Sequence, residues 1–277
     1  YSFDAFTNGS LTTPDDAYAW AQGKAIPGGG GGGELKILRP LDFYAVSVRD
    51  HIIFNGAWVT SGMRGLEIEG DDRDIFESLQ TLAFVASRTT RVRLGTSVVV
   101  LPNRHPLLFA KQTSSLDVLS GGRLIVGIGV GPNRRPATED TTRLGKHRTN
   151  LEKEYDIFGA TGPRGQRMDE YFEAIIAIWT QEKATYHGEY VDFEEIDVFP
   201  KPIQKPYPPI VIGGRAPQAQ RRAAKYADGW IPSQVTTDEI RPAVENIRSL
   251  RAEFGRDPDP GIIGINVHSI IAGSDAE

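Results

Sequence analysis

Short runs of β-branched and other apolar residues alternate along the chain with stretches whose apolar positions recur at a helical period. Phe43 to Val48, Arg91 to Val100, Leu124 to Val130, Pro209 to Gly214, Gly229 to Pro232 and Ile262 to Ala272 read as strands, with Tyr1 to Thr7 as a first one. Between them, Asp74 to Ser87 places Ile75, Leu79, Leu82, Ala83 and Ala86 on one helical face. Pro106 to Leu119, Met168 to Trp179, Ala216 to Tyr226 and Asp238 to Phe254 predict four more helices, the first closed by Gly121-Gly122. Strands alternating strictly with helices predict a parallel sheet with helices outside, an α/β fold of the TIM (β/α)8 type. Seven strands are counted, so the eighth βα unit is expected to be missing from this chain.

A barrel of this type takes about 250 residues as one unit, and a single domain over 1–277 is expected. Two stretches exceed ordinary βα spacing and read as insertions, about 132–166 and about 182–208. The first is polar and rich in arginine, and the second carries Pro200, Pro202, Pro206 and Pro208, with Pro209 directly after it. The six consecutive glycines of 28–33 fall where the first barrel helix is expected, and glycine disfavours helix by about 1 kcal/mol per residue. No function is attached to them.

Composition narrows the chemistry. No apolar run approaches the roughly 20 residues of a membrane helix, and the opening Tyr1-Ser2-Phe3-Asp4 lacks the order of a signal peptide. The chain has no cysteine, which removes disulfides, thiol catalysis and cysteine-ligated metals and suits the cytoplasm. A net charge of −5 gives no support to nucleic-acid or membrane partners. No histidine–carboxylate set has metal-site spacing, so no metal is expected.

In such barrels function sits at the C-terminal ends of the strands. The second strand ends in Arg49-Asp50-His51, where the carboxylate can orient the imidazole for proton transfer; the alternative is an exposed loop pair. The third ends in Gly95-Thr96-Ser97-Val98, small enough for a flat ligand to approach, or simply an ordinary strand. The fourth ends in Gly127-Ile128-Gly129-Val130-Gly131, a glycine pattern that lacks the following helix of a dinucleotide site. The fifth runs into Gly213-Gly214-Arg215-Ala216-Pro217 and a helix. That is an anion site built from a helix N-terminus and an arginine, unless it is only a tight turn.

Taken together these segments resemble the luciferase-like monooxygenase superfamily, and most of all its F420-dependent oxidoreductases, from about Phe43 to about Ser269. The resemblance is carried by Val48-Arg49-Asp50-His51, Leu94-Gly95-Thr96-Ser97-Val98, Leu101-Pro102-Asn103-Arg104-His105-Pro106 and Leu119-Ser120-Gly121-Gly122-Arg123. Arg167-Met168-Asp169-Glu170-Tyr171, His187-Gly188-Glu189-Tyr190, Pro209 to Arg215 and Ala227-Asp228-Gly229-Trp230 continue it.

The resemblance implies a TIM barrel with insertions and a deazaflavin, coenzyme F420, at its mouth. Asp50 and His51 match the pair that meets the head group, with His51 near the reacting carbon. Ser97-Val98 matches a non-prolyl cis peptide beneath the ring. Thr96, Gly129, Gly131 and Asn133 complete the expected cofactor-binding set, and Gly213, Gly214, Arg215 and Ala216 match the phosphate turn. Some relatives carry a proton-donating glutamate just after the fourth strand; here Pro132 and Asn133 follow instead. The implied activity is hydride transfer between F420 and a small organic substrate, in a protein whose relatives are commonly homodimers. An FMN-dependent two-component monooxygenase of the same fold and a non-catalytic flavin-binding protein are the alternatives.

Overall fold

The computed structural model describes residues 4–6, 45–48, 50, 52, 76–131, 154–160, 162–232 and 235–264. The glycine run, His51, Asn133, most of the first insertion and the chain after residue 264 lie outside the described residues.

Ten strands are described: β1 (Asp4–Phe6), β2 (Ala45–Val48), β3 (Arg93–Thr96), β4 (Val99–Val100), β5 (Leu124–Gly129), β6 (Lys183–His187), β7 (Asp192–Asp197), β8 (Ile210–Gly213), β9 (Gly229–Ile231) and β10 (Ile262–Ile263). The helices are α1 (Ser78–Arg88), α2 (Pro106–Leu119), α3 (Arg164–Thr180), α4 (Pro217–Tyr226) and α5 (Thr237–Glu253). The main sheet runs β1-β2-β3-β5-β8-β9-β10, with β4 also paired to β5. From β2 to β10 every pairing is parallel, with Val46 opposite Leu94, Val126 opposite Ile210 and Ile212 opposite Trp230. The βα order of the sequence is thus a parallel, curled sheet with helices packed on it.

Strict alternation along these strands separates two cores. Leu124, Val126 and Ile128 of β5, with Ile210 and Ile212 of β8, meet Leu82, Phe109, Phe172, Ile175 and Trp179 of the helices. The residues between them, Ile125 and Val211, join Ala45 and Ile231 in a smaller cluster on the other face.

Three features depart from the pattern-based expectation. β1 pairs antiparallel to β2, not parallel as a first barrel strand would. Side-chain alternation has the same period in either direction, so it does not encode the sense of pairing. The single strand expected over Arg91 to Val100 is broken into β3 and β4 at Ser97-Val98, whose peptide is cis. The second insertion contains an antiparallel hairpin, β6–β7, seated by the Glu170 carboxylate. That carboxylate accepts the N–H groups of Glu189, Tyr190 and Val191 at 2.9, 2.5 and 2.8 Å.

The Leu119 to Arg123 phrase serves structure at the far end of β5. Arg123 donates to the carbonyls of Ser120, Val92, Ala86 and Thr89, between 2.7 and 3.0 Å. It thereby satisfies carbonyls left open where α1 ends.

Candidate active site

The C-terminal ends of β2, β4, β5 and β8 converge on two centres. The first is Asp50, 5% exposed, just beyond β2. A buried carboxylate needs partners, and Asp50 accepts four hydrogen bonds from three residues. Arg104 Nε donates to Oδ2 at 3.1 Å and Arg104 Nη2 donates to Oδ1. Ser78 Oγ donates to Oδ1 and the Val100 N–H to Oδ2, each at 3.3 Å. Arg104 also reaches Glu77 Oε1 at 2.7 Å. Burial opposes the charge on Arg104, but Asp50 and then Glu77 outweigh it and raise its pKa. Burial likewise works against ionised Glu77. The Gln80 N–H at the start of α1 and the Arg104 guanidinium outweigh it and lower that pKa. The Asp50 carboxylate is thus held by the protein itself, and its anchor, Arg104, stood unassigned inside the Leu101 to Pro106 phrase.

The second centre is Val98. A Cβ built on Gly129 would lie 2.9 Å from Val98 Cγ2, and one on Gly213 would lie 2.7 Å from it. Glycine at both strand ends therefore lets the Val98 side chain wedge between β5 and β8. Beside it, Ser97 Oγ is buried without a hydrogen-bond partner, as are both amide atoms of Asn103. Ser97 is 7% and Asn103 8% exposed. Such groups cost roughly 1–3 kcal/mol each when unanswered. Asn103 was not among the expected site residues; its only sequence signal is an amide in an otherwise apolar turn.

Thr96 has a different task. Its hydroxyl donates to the Gly127 carbonyl at 2.7 Å and accepts the Gly127 N–H at 2.9 Å, stapling β3 to β5. Gly131, at φ +75°, lies against Tyr155 Oη.

The β8–α4 turn holds the remaining expected residues. Gly214 adopts φ +107°, a conformation that favours glycine. Its N–H donates to the Ile231 carbonyl at 3.2 Å, and its carbonyl accepts from Trp230 Nε1 at 2.8 Å. Ala216 is the N-cap of α4 and gives it no side-chain cap, while Pro217 opens the helix. Arg215 is exposed at the surface. Hydrogen bonds from Thr236, and then the Arg215 charge, lower the Glu239 pKa. The structure thus brings together Thr96, Ser97, Val98, Gly129 and Gly213, sets Gly214 to Ala216 on the adjoining turn, and ties Asp50 to Val100. Among the described residues no cluster of histidine and carboxylates could hold a metal, and no helix is long and apolar enough to cross a membrane.

The chain is 28% identical to an F420-dependent hydroxymycolic acid dehydrogenase of Mycobacterium tuberculosis, over 64% of this chain and 45% of that one. It is also 28% identical to an FMNH2-dependent dimethylsulfone monooxygenase of Pseudomonas putida, over 67% and 46%. The crystal structure of a monooxygenase from Streptomyces bottropensis superposes with a TM-score of 0.58 at 25% identity, covering 80% of this chain and 59% of that one. The chain spans 61% of the length of mycobacterial relatives that are 34% identical to it, and less than half of the two enzymes above. A profile for a protein family of unknown function matches residues 1–97. The luciferase-like monooxygenase profile matches residues 52–277, most of the chain, and with the strand-end site in place the chain belongs to that family.

Proposed function

We propose that the protein is an F420-dependent oxidoreductase, moving a hydride between the deazaflavin coenzyme and a small organic substrate. The observation that carries this reading is the Val98 wedge between Gly129 and Gly213, with the unpartnered Ser97 hydroxyl beside it. Apolar surface for a ring next to an unspent polar group is what a flat heterocycle with a polar edge requires. The coenzyme, when bound, supplies the hydride at its ring's central carbon. The protein's share is to hold and to manage protons. Ser97 and Val98, with Gly129, Gly131 and Asn133, hold the ring; Thr96 keeps β3 and β5 in register beneath it. His51 manages the proton at its imidazole, with Asp50 fixing the neighbouring backbone. The Gly213 to Ala216 turn takes the phosphate.

The FMN-dependent monooxygenase reading is supported by the equally similar Pseudomonas putida relative. Titration of the purified protein with F420, FMN and FAD separates the two. F420 is expected to bind at least about tenfold more tightly than FMN, roughly 1.4 kcal/mol. FMN retained through purification is the result that sinks the F420 reading.

The phosphate turn has its own test. Because the Gly214 N–H is taken by the Ile231 carbonyl, Pro217 has no N–H and the Ala219 N–H is turned onto the Ala216 carbonyl, anion binding rests chiefly on the Arg215 side chain. A charge-assisted bond from Arg215 is worth roughly 1.5–3 kcal/mol. Arg215→Ala is therefore expected to weaken coenzyme binding about ten- to a hundredfold, and wild-type affinity to fall with added salt. A coenzyme fragment without phosphate should ignore the substitution. Equal losses for fragment and intact coenzyme would remove the phosphate from this turn.

A further inference from the structure

The residues on either side of His51 are each tied to a charged group from far along the chain. Asp50 is tied to Arg104, as described above. On the other side, the Ile52 N–H donates to Glu154 Oε1 at 2.8 Å, across 102 positions of sequence. Glu154 is 2% exposed, whereas Ile52 is 50% exposed. A carboxylate so buried loses water at considerable cost and needs donors, of which the Ile52 N–H is one. The same bond fixes the backbone at Ile52.

Glu154 is itself firmly mounted. It lies on a helical turn over 154–157 whose next residue, Tyr155, packs with Val100 and Ala160. A Cβ on Gly131 would stand 1.8 Å from Tyr155 Oη, so ring and strand end fit with nothing between them. The Arg164 guanidinium lies over the Tyr155 ring, 4.2 Å from its centroid, and donates to the Val130 carbonyl at 3.4 Å. The turn is thereby seated on the ends of β4 and β5, and from there Glu154 reaches across to the end of β2.

We propose that Glu154 is a positioning residue for the proposed proton transfer: the Glu154 carboxylate holds Ile52 and the Arg104 contact holds Asp50, the two sequence neighbours of His51. The role of His51 rests on the functional reading above; the clamp itself does not. Catalytic groups held by locked neighbours tolerate little displacement, and about 1 Å of misplacement costs up to about a hundredfold in rate.

The test compares wild type, Glu154→Leu and Glu154→Gln. Leucine fills the volume without an acceptor, and glutamine keeps an acceptor oxygen without the charge. Amide hydrogen exchange is read over 48–54, with exchange in β5 as the control for folding. With F420 and a turned-over substrate, kcat, KM and the pH profile are read on the same proteins. Glu154→Leu is expected to speed exchange in 48–54 by about tenfold or more with β5 unchanged. It should lower kcat about ten- to a hundredfold while KM moves less than about threefold. Glu154→Gln is expected to recover most of both, with the pH profile keeping its shape. If Glu154→Leu proves unstable, Glu154→Gln alone decides, because a glutamine as slow as leucine, with a lost pH limb, makes Glu154 a proton donor and overturns the positioning role. Unchanged exchange over 48–54 in Glu154→Leu also overturns it, whatever the activity. Faster exchange in a protein that neither binds nor turns over F420 leaves the clamp standing and removes the F420 reading instead.

Discussion

Arg104→Ala is expected to cost the folded protein about 3–5 kcal/mol, the usual penalty for removing one partner of a buried ion pair. The side chain of Asp50 is only 4% exposed, and without Arg104 its partners are Ser78 Oγ and the Val100 N–H. Two neutral donors do not replace a guanidinium that grips both carboxylate oxygens. Arg104→Lys should lose much of the same stability, because a single ammonium cannot serve both Asp50 oxygens and Glu77 with the same fork. Urea unfolding of the purified variants measures this through the shift in midpoint at unchanged slope.

The pH dependence has a definite sign. Glu77 titrates below its ordinary value in the folded state. Its contribution is complete above the unfolded glutamate pKa of about 4.3 and fades as pH falls through the lower folded value. The gap between wild type and Arg104→Ala should therefore narrow in acid. A midpoint within about 1 kcal/mol of wild type at neutral pH would mean that Arg104 does not hold Asp50.

Gly127→Ala is expected to abolish folding or to leave only a grossly weakened protein. The new Cβ would stand 1.9 Å from the Thr96 carbonyl oxygen and 3.2 Å from Val211 Cγ2. The nearer neighbour is strand backbone, which cannot swing aside as a flexible side-chain end could. Opening that gap also breaks the Thr96 staple, which uses both the N–H and the carbonyl of Gly127. Overpacking a core typically costs 1–3 kcal/mol, and a backbone collision belongs above that range. Gly121→Ala is the control. Nothing lies within 4 Å of its Cβ position, but φ is +69°, so only conformational strain applies, about 1 kcal/mol. Soluble yield and thermal unfolding separate the two. A Gly127→Ala protein melting with Gly121→Ala would show that β3 and β5 can part without harm.

Periodicity alone placed β2, β5, β8 and β9 and all five helices, because each buries one face and burial writes itself into residue spacing. It missed the hairpin β6–β7 inside the second insertion, where Lys183 to His187 alternates but Asp192 to Asp197 does not, and both carry mostly polar residues. What holds the hairpin tip is Glu170 on α3, a partner that local pattern does not announce. The site divides in the same way. Strand-end glycines and Ser97-Val98 stand out in sequence because small residues at barrel strand ends are unusual for packing. Arg104 and Glu154 do not, since their partners lie 54 and 102 positions away. A charged residue in a turn looks the same whether it faces water or a buried carboxylate. Thr96 was legible as a small polar residue at a strand end, but not as the one whose hydroxyl is spent on Gly127.

Ser97 and Asn103 have a consequence for selectivity. Their three buried polar atoms are answered by no protein group. An apolar pocket distinguishes ligands that differ by one methylene only about 10–200-fold, whereas a site built to hydrogen-bond its ligand rejects the analogue lacking that group by about 10⁴–10⁵. The difference comes from the host, whose own polar atoms stay orphaned beside the wrong guest. Any molecule that reaches these side chains is thus judged first by what it can donate or accept, and an isostere with carbon in place of oxygen or nitrogen is turned away however well it fits.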